Sequence, residues 1–174
     1  MKESSNMFEK EMPKFSMIGQ YIKDLSFENL VVCDLPQMEG DGTKGAFVHL
    51  DIDVGYRPFT KMAQFSQNSY EITLHLKATM SSGERNLFIA EIEYASIIQC
   101  EKDCSDEQIE LIAYIEVSDY LFFESRNIIT SLAAQSGFGP VFLNSVDFTQ
   151  IYLAKSKHAQ SMEARMAQAN ERSL

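Results

Sequence analysis

The sequence has no excess of positive charge. Fifteen lysines and arginines stand against 25 aspartates and glutamates, a formal net charge of −10. Nucleic-acid phosphates need a basic surface, so this balance argues against such a partner. It favours solubility and steers basic partners toward the protein. No apolar run approaches the roughly 20 residues of a membrane span. The opening stretch, MKESSNMFEKEMPK, lacks the apolar core of a secretory signal. The expectation is a cytoplasmic protein with no direct membrane insertion.

Cysteine and histidine are also scarce. Cys33, Cys100 and Cys104 are an odd count with no disulfide framework, and read as reduced thiols. The last two read as loop thiols flanking EKD. His49, His75 and His158 lie far apart, and none shares a zinc-type spacing with a cysteine. His49 and His75 read as surface histidines. There is no G-x-G-x-x-G, no phosphate-binding glycine loop and no G-x-S-x-G. No acid and base can be placed around a substrate. These absences predict a non-enzyme without metal or cofactor.

What is present is a foldable chain. With 174 residues and 45% hydrophobic composition, it can bury one domain-sized core. Residues 1–14 are polar and read as a flexible arm. A first strand is expected at about 16–28. Within it, YIKDLSFEN puts Tyr21, Leu25 and Phe27 on one parity, interrupted by Lys23, and Ile22, Asp24, Ser26 and Glu28 on the other. Residues 31–45, with Pro36 and three glycines, read as a crossover. FVHLDIDV (47–54) alternates, with His49, Asp51 and Asp53 on one face. Residues 55–68 read as a second long connection, since Pro58 argues against a central strand. YEITLHLKAT (70–79) alternates throughout, and LFIAEIEYASII (87–98) returns after the tight turn SSGE. That short turn predicts an antiparallel hairpin.

The period changes from Asp106 onward. Ile109, Ile112 and Ala113, then Leu121, Ser125, Ile128, Ile129 and Leu132, fall at helical spacing. Ser118 or Asp119 is a candidate cap for a helix restart, and Gly137 for a stop. Asp147 opens a last helix whose end is polar and alanine-rich. Strands followed by helices predict an α+β fold: a four-stranded antiparallel sheet with two C-terminal helices packed on one face. The other face is then open to solvent or to a partner.

The strand acids have two readings at this point. They are ordinary solubilising charge, or a docking surface for a basic partner. Most of the twelve Phe, seven Tyr and nine Met must be core. Those on the 55–68 connection, Tyr56, Phe59, Met62 and Phe65, would suit a groove that accepts varied apolar partners.

Several stretches together resemble the SecB family of protein-export chaperones. YIKDLSFEN resembles its first-strand motif and HLDIDV its second strand. YEITLHLKAT and GERNLFIAEIEYASII resemble the third and fourth. LFFESRNIITSLAAQSGFGPVFLNSVDFTQIY resembles the long helix, the following loop and the start of the last helix. The resemblance spans roughly residues 17 to 153 and implies a chaperone domain over 15–156, followed by a polar tail at 157–174. It implies an ATP-independent cytosolic holdase, a homotetramer built as a dimer of dimers. Such a holdase binds unfolded precursor proteins in apolar grooves and delivers them to the SecA motor ATPase of the Sec translocon. By the same resemblance, Asp24, Glu28, Ile89 and Glu91 match SecA-binding positions. Leu50, Ile52 and Phe88 match client-binding positions, and Ala90, Ile92 and Tyr94 match positions of subunit assembly. A SecB-like chaperone dedicated to one partner, such as the antitoxin of a toxin–antitoxin pair, is the second reading.

Overall fold

The computed structural model describes residues 13–31, 45–60, 68–138 and 141–156. Four long strands form one antiparallel sheet: β1 (Phe15–Asn29), β2 (Ala46–Pro58), β3 (Ser69–Ser82) and β4 (Arg85–Cys100). Their spatial order is β1-β4-β3-β2. The expected hairpin joins β3 to β4 through a two-residue turn in which Gly83 takes φ 59°, a conformation that glycine adopts without strain. β1 and β2 occupy opposite edges.

Alternation assigns each strand a buried and an open face. On β3 and β4 the inward side chains are Ile72, Leu74, Leu76, Ala78 and Met80, and Phe88, Ala90, Ile92 and Ile98, all buried. Each fully buried Leu, Ile or Phe contributes roughly 1.5–3 kcal/mol, so this face carries the sheet's stability. β2 reaches Pro58, further than the sequence suggested. Proline is tolerated there because β2 is an edge strand and its missing N–H breaks no ladder. Residues 55–58 therefore belong to β2, and Phe59 is buried instead of lining a mobile connection. Met62 and Phe65 lie outside the described residues.

β1 departs from simple alternation. Its pairing with β4 skips Ile18 and Lys23, so each is an extra residue in the ladder. The bulge at Lys23 reverses the parity expected upstream of it. Tyr21 shares a face with Asp24, and Ile22 shares one with Leu25 and Phe27.

After β4 the chain enters α1 (Asp106–Leu111), capped by Ser105 in a reciprocal box with Gln108. The helix does not restart at Ser118. It passes through a π-helical turn, Ile112–Val117, directly into α2 (Ser118–Gln135). The Ser118 hydroxyl donates to the Ala113 carbonyl at 2.6 Å, so it serves the wider turn instead of capping a new helix. Gly137 ends α2 with φ 93°; its N–H bonds the Ala134 carbonyl, and the Phe138 N–H bonds the Ala133 carbonyl. This is the glycine-terminated stop that the sequence suggested. α2 contacts β3 and β4, and Phe138 lies 5.3 Å from Phe88 between ring centres. The Tyr114 hydroxyl donates to the Val54 carbonyl at 2.6 Å, joining the π turn to β2.

Residues up to Asn144 and those from Ser145 form two compact units. The second holds α3 (148–156), whose start is capped as expected: the Asp147 carboxylate accepts from the Gln150 N–H at 3.0 Å. Cys100 is the last residue of β4 and buried, so it is not a loop thiol; Cys104 is half-buried. Cys33, the 31–45 crossover beyond Val31 and before Gly45, residues 1–12 of the arm and the 157–174 tail lie outside the described residues. Among the described residues, no helix is long and apolar enough to cross a membrane.

Candidate functional site

The face opposite the buried one carries the charge. Strand register lines up its side chains in cross-sheet rows. One row runs Asp24, Glu93, His75, Asp53, from β1 across to β2. The next runs Ser26, Glu91, Lys77, Asp51. The third runs Glu28, Ile89, Thr79, His49. The first two rows border a shallow depression of about 390 Å³, lined by Asp24, Asp51, Asp53, His75, Lys77, Glu91 and Glu93 among others. In these two rows acids thus flank His75 and Lys77 of β3.

The four positions matched to SecA binding are neighbours on this face. Ser26 lies opposite Glu91, Asp24 opposite Glu93, and Glu28 opposite Ile89. Acids two residues apart on one strand and opposite on the next lie within one or two strand spacings, roughly 5–10 Å. The Lys77 ammonium sits 2.5 Å from Glu91, His75 Nδ1 3.4 Å from Glu93, and His49 Nε2 3.2 Å from Asp51. The hydrogen bond with Glu91 raises the Lys77 pKa above its ordinary value. His49 and His75 are exposed, as expected.

At the far end of the same face lies a group that the sequence did not reveal. Glu71 alternates outward yet its side chain is only 4% exposed. Tyr21 from β1 and Arg57 from β2 both hydrogen-bond its carboxylate, and the Lys23 ammonium lies 3.7 Å away. Lys23 also reaches Thr73 at 3.3 Å and Glu93 at 4.0 Å, so the cluster ties all four strands together. The bulge that extrudes Lys23 turns it onto this face. An interrupted alternation at Lys23 was the available signal, but its partners depend on strand order.

Burial acts to raise the Glu71 pKa, and is outweighed by the Arg57 and Tyr21 hydrogen bonds and the Lys23 charge, which leave it below the ordinary value. Burial, then the bond to Glu71, pushes the Tyr21 hydroxyl up to about 12. A lowered carboxyl pKa gives stability that is complete above the unfolded value of about 4.3 and lost as pH falls through the folded one. Glu71→Gln is therefore expected to lower stability by about 1–3 kcal/mol at neutral pH. It should also flatten the acid limb of a urea-unfolding stability curve; an unchanged limb would remove Glu71 as its source.

The positions matched to client binding and to subunit assembly lie on the other face. Leu50 and Ile52 are half-buried on edge strand β2. Phe88 is fully buried, stacked on Phe27 at 5.2 Å between ring centres and against Phe138. Ala90 and Ile92 are buried within the chain, while Tyr94 is half-exposed and lies opposite Ile22. Ile18, Ile22, Leu25 and Leu30 are all exposed on or just after β1. Among the described residues, no group of three His, Cys, Asp or Glu could hold a metal ion.

This architecture has known counterparts. Residues 8–159 match the family described as preprotein translocase subunit SecB. The chain belongs to the SecB family. Protein-export protein SecB of Hyphomonas neptunium is 33% identical over 147 residues, covering 84% of this chain and 81% of its own. Protein-export protein SecB of Paramagnetospirillum magneticum is 32% identical over 164 residues, covering 92% and 95%. The fold is similar to that of the SecB-like chaperone of Mycobacterium tuberculosis, solved with an antitoxin peptide: TM-score 0.61, 11% identity, covering 76% of this chain and 91% of that one. The SecB family and its curated export members make this chain a chaperone of protein export.

Proposed function

We propose that the chain is an ATP-independent cytoplasmic holdase that delivers unfolded precursors to the SecA motor. The observation that carries the reading is the clustering of Asp24, Glu28, Ile89 and Glu91 on one open sheet face. The helical segment from α1 through α2 covers the opposite face, leaving the acidic one free; the Phe88–Phe138 contact supports this arrangement. Opposite charge brings the motor's basic surface to the acids, with a rate and affinity that fall as salt screens them.

Client holding needs no cofactor and no catalytic set. An unfolded chain exposes apolar groups, and a groove that buries them competes with aggregation without reading sequence. Leu50 and Ile52 offer such surface on the β2 edge. Phe88 reaches a client only when Phe138 moves away from it.

The assembly is a homotetramer, a dimer of dimers. A row of exposed apolar side chains along an edge strand is costly in a monomer and is the usual mark of a covered surface. Ile22 and Leu25, beside Tyr94, form such a row. Four subunits multiply the grooves, so one client engages several at once. A dedicated antitoxin chaperone shares this fold, but the curated relatives carry export names.

The test is aggregation of a chemically unfolded precursor diluted into buffer without ATP, with the chaperone's solution mass measured in parallel. Equimolar tetramer is expected to suppress light scattering. Absence of protection by a chain running at four times 19.8 kDa would overturn the holdase reading, and a stable monomer would overturn the assembly.

A further inference from the structure

Two carboxylates on the charged face are paired in opposite ways. Glu71 is enclosed, held by hydrogen bonds from two strands and a nearby ammonium. Its side chain is only 4% accessible, so an incoming group reaches Glu71 only by displacing Tyr21, Arg57 or Lys23. Glu91 is half-exposed, and so is its partner Lys77, with side chains 50% and 43% accessible. An exposed ion pair of this kind contributes little to stability and exchanges its partners readily.

Lys77 occupies a particular place. It sits on β3 directly opposite Glu91 on β4 and Asp51 on β2, between the acids of the two neighbouring strands. Its ammonium already occupies the carboxylate that the docking reading reserves for a partner. The core lies on the opposite face of the sheet, so packing does not require a cation here.

We propose that Lys77 is the built-in counter-ion of the docking face, and that a lysine or arginine of the partner takes its place on Glu91. The proposal rests on the docking reading above. Charge at position 77 then sets how tightly a basic partner binds: the resident cation weakens docking and keeps it reversible. A partner ammonium or guanidinium gains Glu91 only by returning Lys77 to solvent or to Asp51.

The experiment measures SecA binding to the full-length chaperone at low and physiological salt for five proteins: wild type, Lys77→Gln, Lys77→Ala, Lys77→Arg and Asp24→Asn. Lys77→Ala serves as a second neutral variant, and client holding reports that each protein is folded. Both neutral variants are expected to bind about 3- to 10-fold more tightly at low salt. The gain should shrink as salt rises, and Lys77→Arg should match wild type. If the neutral variants bind no more tightly while Asp24→Asn weakens docking, the counter-ion role is wrong and the docking face stands. If Asp24→Asn has no effect either, the docking reading itself falls, and the counter-ion role with it.

Discussion

Replacing Phe88 by alanine should cost about 3–5 kcal/mol of folding stability. Its ring is fully buried between Phe27 and Phe138, at 5.2 and 5.3 Å between centres. Truncation removes both aromatic contacts and leaves a cavity where β1, β4 and the end of α2 meet. Urea unfolding would show the loss as a lower midpoint with an unchanged slope. Phe88→Leu, which refills most of the volume, should recover most of the stability. This matters for function, because Phe88 also matches a client-binding position. The two roles separate at a temperature where the alanine variant remains folded. A structural role alone predicts normal client holding there; a client role predicts impaired holding in Phe88→Leu as well, despite its near-normal stability. A loss below about 1 kcal/mol in Phe88→Ala would mean that the site collapses around the gap, and that the three rings do not form a rigid core.

The second large effect is on docking. The double substitution Asp24→Ala, Glu91→Ala is expected to weaken SecA binding by about 10- to 100-fold at low salt, while client holding survives. It removes two negative charges that stand near each other on adjacent strands, and it strips Lys77 of its partner. The freed ammonium then repels a basic partner, so the pair should cost more than its two exposed carboxylates alone. Stability should shift by no more than about 0.5 kcal/mol, as for most surface changes. Equal loss of docking and of client holding would show that the acids support the fold, and that solubilising charge was the better reading after all.

Much of this was legible in the sequence because alternation is a direct consequence of strand geometry. YEITLHLKAT announces both a strand and its buried face, and Ile72, Leu74 and Leu76 are where its pattern puts them. The Ser-Ser-Gly-Glu turn and Gly137 were readable from glycine's backbone freedom, confirmed by their positive φ angles. Strand order was not legible. Nothing local in YIKDLSFEN says that β1 pairs with β4, so the rows of the acidic face could not be assembled from the chain alone. The resemblance named four of its residues, and left out Lys77, Asp51 and Asp53, which share the face. Glu71 read as an ordinary outward acid because its enclosure depends on three other strands. The π turn was hidden for a similar reason. Ser118 looks like a cap in one dimension, and only the packed helix shows its hydroxyl turned back to Ala113.

The bulge at Lys23 has a consequence for comparing this chain with its relatives. Strike Lys23 out, and the motif reads Tyr, Ile, Asp, Leu, Ser, Phe, Glu, Asn, a perfect alternation on the faces that the register already assigns. A homologue one residue shorter at this point would thread the same sheet, with every downstream pair intact. A one-residue gap here is structurally silent for the ladder, whereas the same gap after Asp24 would turn Asp24 from the acidic face to the buried one. Alignments of this strand should therefore open their gap at Lys23, and what a gapped relative gives up is the ammonium beside Glu71.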